Sequence, residues 1–210
     1  MSHNVMNKEK LYAAIEECDL SKTEAIFRNE MFDQNHLYNN AGETLLMSAV
    51  KHRCVEIALF LIENGADVNK PDQKNDTALI EAIVYDDAKM TQLLLDNGAN
   101  VFYLTSYKRT PLHISASVDG ASCAEILLEG GANINAQDDI GSTPLMEAVD
   151  GGTGAIQGPN VVRLLIERGA NVNIRNHKNE TALFVMHNYI CDEYIEPELL
   201  ELLIRAGAIE

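Results

Sequence analysis

"TLLMSAVKHRCVEIALFLIENGADVN", residues 44–69, decides how this chain folds. Its apolar residues Leu45, Leu46, Ala49 and Val50 recur at helical spacing, and after a polar break Val55, Ile57, Ala58, Leu61 and Ile62 do so again. That is a helix, a turn and a second helix. Thr44 stands where an N-cap hydroxyl takes a free backbone N–H, and Gly65 stands where a left-handed residue closes the second helix. One such pair has an apolar face and nothing of its own to bury it against.

The rest of the chain supplies the cover. A T-x-L block recurs at Thr44, Thr77, Thr110, Thr143 and Thr181 in steps of 33, 33, 33 and 38, and Gly-Ala recurs at Gly65, Gly98, Gly131, Gly169 and Gly207 in steps of 33, 33, 38 and 38. From Gly to the next Thr the distance is always 12, so the five extra residues lie inside the last two repeats. The spacers, such as "GADVNKPDQKNDT" (65–77), are polar, turn-rich and too short for a helix, which predicts hairpin-like fingers. Stacked helix pairs then share a continuous core, and the fold class is an all-α repeat solenoid. Pro159 and Pro197 each precede a Gly of the series by ten residues, a register suited to the first turn of a helix. The lengthened turns "GGTGAIQGPN" and "HNYICDEYIEPE" are therefore predicted side by side at the end opposite the fingers. Tyr189, Ile190, Tyr194 and Ile195 make the second either decoration or a secondary contact site.

The 33-residue period, "TPLH" at 110–113, and "GADVN", "GANIN" and "GANVN" resemble the ankyrin repeat family from about residue 39 to the C-terminus. The resemblance implies ankyrin repeats, each a helix-turn-helix plus a β-hairpin-like finger, about six units in one domain spanning 1–210. Residues 1–38, read from "EKLYAAIEECDLSKTEAIFRNE", form a degenerate N-terminal cap. Residues 39–71, 72–104 and 105–137 are regular repeats, and 138–175 and 176–210 carry the extended inter-helix loop. The last repeat, with Met186 and His187 in place of small or β-branched residues, is expected to pack less regularly. The resemblance gives His113 a structural hydrogen bond to Thr110, and implies a binding scaffold without chemistry of its own.

Charge and motif spacing narrow the classes further. With 32 acidic and 16 basic side chains the net charge is −16, which repels a phosphate backbone and suits a basic protein surface. The start, "MSHNVMNKEK", has no apolar signal core, and no uninterrupted apolar run approaches the roughly 20 residues of a membrane span, so a cytoplasmic protein is expected. Cys18, Cys54, Cys123 and Cys191 are far apart with no CxxC, which predicts neither disulfides nor zinc and favours a reducing compartment. His187 and Cys191 would supply two ligands where a structural zinc takes four. In "DGGTGAIQGPN" a GxGxxG needs glycine at Gln157, and a P-loop needs Lys and Ser or Thr where Pro159 and Asn160 stand. Cys123 shares the core register of Ile57 and Met90, with no base nearby. The reading is no enzyme, no cofactor, no metal, no nucleic acid and no membrane.

One finger breaks the pattern. In "NVFYLTSYKRTPLH" (100–113) Phe102 occupies the register of Asn69, Asn135 and Asn173, and Lys108 that of Gly42, Asn75, Gly141 and Asn179. The Asn resembles the family residue that ties the finger to adjacent backbone, a bond Phe cannot make. Lys is strained at a positive φ or forces another turn. Phe102 is expected to pack inward, with Tyr103, Leu104, Tyr107 and Arg109 as an exposed contact cluster. Family register adds Asp76, Glu81, Tyr85, Val118, Asp139, Ile140, Glu147 and Asp150 as partner-binding positions, flanked by Asn40, Glu43, Lys51, His52, Gln73, Lys74 and Ser117. The expected function is binding a basic or amphipathic segment of another protein through the concave face and fingertips. The chain would act as adaptor or masking regulatory subunit, monomeric when free. A structural spacer or assembly subunit is the alternative, and catalysis a weaker one.

Overall fold

The computed structural model describes residues 2–29, 35, 39, 42–150, 159–189 and 197–209. Asn40, Cys191 and most of the two extended turns, including Ile190, Tyr194 and Ile195, lie outside them. The chain divides into two compact units, Met1–Asn100 and Val101–Glu210.

In the first unit α1 (Ser2–Glu16) and α2 (Leu20–Asn29) form the cap pair, followed by α3 (Leu45–Lys51) with α4 (Val55–Glu63) and α5 (Ala78–Val84) with α6 (Ala88–Asp96). First helices stack on first helices, α1 on α3 and α3 on α5, while α2 packs on α4. The second unit repeats the scheme with α7 (Pro111–Ser117), α8 (Ala121–Glu129), α9 (Pro144–Val149), α10 (Pro159–Glu167), α11 (Ala182–Tyr189) and α12 (Pro197–Arg205). There α7, α9 and α11 form one row and α8, α10 and α12 the other. No strand element forms among the described residues, so this is an all-α repeat solenoid whose fingers are turns.

Local chemistry sets the helix ends. The hydroxyls of Thr44, Thr77, Thr110, Thr143 and Thr181 each accept the backbone N–H three residues on, at 3.1 to 3.4 Å. Gly65, Gly98, Gly131, Gly169 and Gly207 all have φ between 84° and 93°, which lets the next N–H fold back on the helix, as Ala66 does on the Leu61 carbonyl at 2.9 Å. Four residues ahead of each glycine Leu61, Leu94, Leu127, Leu165 and Leu203 are fully buried, as is Cys123 beside them. Met186 is fully buried too, so the last repeat fills its core despite the larger side chain. Burying each such leucine contributes about 1.5–3 kcal/mol, which is why the period of the leucines dictates the stack.

The turn between paired helices puts a left-handed residue at Cys18, Arg53, Asp86 and Asp119, with φ between 45° and 58°. This corrects the expectation of no disulfide. Cys18 lies in the first such turn and Cys54 directly after the second, and stacking of the turns brings their Cα atoms to 5.4 Å with the sulfurs bonded. Thirty-six residues of sequence separation concealed a contact that the repeat period creates. Asp119 shows how an insertion is accommodated: its carboxylate accepts the N–H groups of Asn160 (3.0 Å) and Val161 (2.9 Å), capping α10 from the preceding repeat. His113 is buried and bonded through both ring nitrogens, one within its own repeat and one to the next. Nδ1 accepts the Thr110 N–H at 3.1 Å, which leaves the proton on Nε2 to donate to the Ser142 carbonyl at 3.0 Å. Burial lowers its pKa against the opposing pull of that carbonyl and of Asp138, so the ring stays neutral.

Candidate functional site

Each fingertip is built on one oxygen-bearing side chain. Asn39, Asp72, Thr105, Asp138 and Asn176 follow the same steps of 33, 33, 33 and 38. In every finger the backbone N–H of this residue donates to the carbonyl four residues on, and its own carbonyl takes the N–H three residues on. The side-chain oxygen accepts the N–H four residues on, at 2.8 Å from Ser142 to Asp138 and 3.2 Å from Arg109 to Thr105. The residue before that donor is left-handed, and Lys108 (φ 55°) takes the place that Gly42, Asn75, Gly141 and Asn179 fill elsewhere. The lysine keeps the turn and bears its strain. Sequence reasoning missed this anchor because three residue types share it; their common acceptor oxygen at a fixed spacing was the available signal.

The other half of the finger carries a ladder. Asn69 donates Nδ2–H to the Gly98 carbonyl (2.9 Å) and accepts the Asn100 N–H (2.7 Å). Asn173 bridges Gly207 (2.8 Å) and Ile209 (2.9 Å), Asn35 bridges Gly65 and Asp67, and Asn135 accepts from Asn171. Phe102 stands at this rung without an amide. It does not pack inward as expected: it is 63% exposed, because Val101 turns into the core and the rung position faces the surface, where the asparagines reach the next repeat.

Of the expected contact cluster, Leu104 (50%) and Tyr107 (68%) are exposed and Tyr103 is half-buried. The fingertips of the second unit join main chain to main chain: the Asp139 N–H donates to the Tyr107 carbonyl (3.2 Å) and the His177 N–H to the Ile140 carbonyl (2.9 Å). Tyr107, Asp139 and Ile140, itself 56% exposed, thus share one row. At Gly141 a Cβ would come within 2.9 Å of the His177 nitrogen, so glycine is what lets these two fingers close up. Beside them opens a cavity of about 410 Å³, lined by Ile140, Met146, Val185, Glu147, Asp150 and Glu180.

Arg109 is not a simple surface contact. Its Nη2 pairs with Glu147, both side chains are three-quarters covered, and its buried Nε has no hydrogen-bond partner among the described residues. Burial raises the Glu147 pKa; Arg109 opposes this, while Asp138 and Asp150 add to it. Val118 is exposed at the end of α7 away from its finger.

In the first unit Tyr85 is exposed, with the Arg53 guanidinium 5.9 Å from its ring centre and donating to its carbonyl at 3.0 Å. Asp76 and Glu81 are half-buried. Burial raises both pKa values; Asp72 adds to the first, and at the second Lys51 opposes the rise while Glu43, Asp76 and Asp72 add to it. Glu43 goes the other way: burial would raise it, but hydrogen bonds from Lys51 and Asn39 bring it below the usual range.

The family model for ankyrin repeats matches residues 3–103, 69–138, 103–176 and 121–208, together almost the entire chain. The chain belongs to the ankyrin repeat family. Among curated proteins none matches. Ankyrin repeats generally serve as protein–protein interaction modules and are typically non-catalytic. In this ankyrin repeat protein no group of three or more metal-ligating side chains assembles among the described residues, and no described helix is long and apolar enough to cross a membrane.

Proposed function

We propose that this chain binds another protein by holding a basic or amphipathic segment against the fingertips and first helices of the Val101–Glu210 unit. The observation that carries the reading is the row of exposed fingertips, Tyr107, Asp139 and Ile140, with Leu104 exposed in the same finger as Tyr107. An apolar centre with a charged rim is how binding energy concentrates at interfaces. Asp76, Glu81 and Tyr85 give the first unit an acidic contact surface of its own. The chain acts in the cytoplasm, monomeric when free, as an adaptor or as a subunit masking its partner's site. Neither nucleic acid nor a membrane is its partner, and it carries no catalysis.

Selection of a displayed random-peptide library on the purified chain tests this. Peptides rich in Lys or Arg and large apolar residues should be enriched, and their association should slow as salt rises. Enrichment of acidic peptides, or equal enrichment on a chain carrying Tyr107→Ala and Ile140→Ser, would remove the reading. A masking subunit inhibits the captured partner unaided; an adaptor needs a third component.

A further inference from the structure

We propose that Cys18 and Cys54 form a reversible thiol–disulfide site, opened by a small thiol and closed by its disulfide, whose state governs how firmly the cap pair α1–α2 is held on the first repeat. The site lies in the Met1–Asn100 unit and does not depend on the binding reading above.

The two sulfurs differ in access. Cys18 is exposed in the turn between α1 and α2, whereas Cys54 is only 3% exposed, so an incoming thiolate reaches the Cys18 sulfur. Cys54 is the N-cap of the nine-residue α4, an end that no side-chain hydrogen bond caps. A thiolate expelled there faces the positive end of the helix, and a stabilised leaving group speeds exchange. In the first step the thiolate bonds to Cys18 Sγ, the Cys18–Cys54 bond breaks, and the electron pair leaves on Cys54. A second thiolate then attacks the outer sulfur of the mixed disulfide and releases Cys18. Two small thiols are oxidised to one disulfide, and their protons end on Cys54 and Cys18. The reverse sequence closes the bond.

Both states are provided for in the fold. Cys18 Sγ lies 3.6 Å from the His52 carbonyl oxygen and Cys54 Sγ 3.3 Å from that of Ile15, so each thiol, once formed, has an acceptor to donate to. The backbone of each cysteine is held by its own helix pair, Cys18 N–H to the Ile15 carbonyl and Cys54 N–H to the Ala49 carbonyl, both at 2.9 Å. Opening the bond therefore leaves the sulfurs placed to pair again. The cap keeps other ties as well: the Tyr12 hydroxyl donates to the Glu43 carbonyl at 2.8 Å, and the Phe27 and Phe60 rings meet edge to face at 5.4 Å. Reduction thus loosens α1 and α2 without removing them from the stack.

The test equilibrates the full chain in glutathione buffers of graded thiol-to-disulfide ratio, followed by acid quenching, alkylation and peptide mapping by mass spectrometry. The pair should pass from closed to open in one two-electron transition within that range. A bond that stays closed in millimolar glutathione free of its disulfide is a fixed structural bond, and thiols that stay open in glutathione disulfide alone do not pair; either result overturns the proposal. With Cys54→Ser, glutathione disulfide should load Cys18 about tenfold faster than it loads Cys54 in Cys18→Ser. Equal rates, or faster loading of Cys54, would contradict the assigned order of attack. Hydrogen exchange on the wild type covers the case in which a variant folds poorly. Amides of Leu11–Ile15 should exchange several-fold faster in the reduced form, with those of α5 and α6 unchanged. Exchange identical in the two forms would mean that the bond does not govern the cap.

Discussion

Replacing Phe102 with asparagine should make this protein more stable, although Phe102 stands in an otherwise well-formed repeat. In the regular repeats a rung asparagine reaches the carbonyl 29 residues on and the N–H 31 residues on, as Asn69 does to Gly98 and Asn100. Counted from Phe102, those groups belong to Gly131 and Asn133. Gly131 has φ 89°, matching the other closing glycines at 84° to 93°, so the acceptor is set up in the same way. An intramolecular hydrogen bond contributes about 0.5–1.5 kcal/mol net, and these rungs are exposed, so two at the low end give about 1 kcal/mol. For a chain of this size that raises Tm by about 2–4 °C in differential scanning calorimetry. Phe102→Ala is the control. With its ring largely in water, its loss should stay within the roughly 0.5 kcal/mol usual for surface substitutions. A Phe102→Asn variant that melts at or below the wild-type temperature would refute the ladder reasoning. A Phe102→Ala variant destabilised by more than about 2 kcal/mol would refute the outward placement of the ring.

Leu127→Ala removes a fully buried side chain from α8 and should cost about 2–5 kcal/mol in urea titration; a loss well under 1 kcal/mol would place it outside the core. Glu81→Gln should raise Tm at pH 7.5. A carboxyl whose pKa is higher in the folded than in the unfolded state costs stability above both values and nothing below them, so the gain should fade as pH drops through the folded pKa and below about 4.3. A gain that persists in acid would contradict burial as its cause. In oxidised protein the Cys18–Cys54 bond closes a loop of 36 residues, worth about 4 kcal/mol by chain entropy to the Met1–Asn100 unit. Reductant should lower that unit's melting temperature in the wild type and leave Cys18→Ser unaffected; identical responses would mean that the bond does not form.

The helices were legible because a single period governs caps, closing glycines and buried leucines at once, so Thr44, Gly65 and Leu61 each predict their counterparts in later repeats. Contacts that cross repeats were legible only where one residue type recurs. The asparagine ladder does so, and the gap at Phe102 could be seen. The fingertip anchor does not, since Asn39, Asp72 and Thr105 share chemistry rather than identity. Cys18 and Cys54 meet through stacking of turns, which no local pattern announces. For the candidate site, register put Tyr107, Ile140, Glu147 and Asp150 on the list, and folding brings Ile140, Glu147 and Asp150 around one cavity. Phe102 turns outward rather than inward because the backbone imposes that direction at every rung, whatever the hydrophobicity of the side chain.

The central claim is that the fingertip row of the Val101–Glu210 unit is a binding surface rather than a repacked turn. It is tested most directly by measuring affinity for a selected basic peptide and melting temperature on one preparation of Tyr107→Ala. The expected result is a loss of about 2 kcal/mol or more in binding, roughly thirtyfold in Kd, with folding stability unchanged within about 0.5 kcal/mol. A variant that melts early and binds the peptide as tightly as the wild type would contradict it.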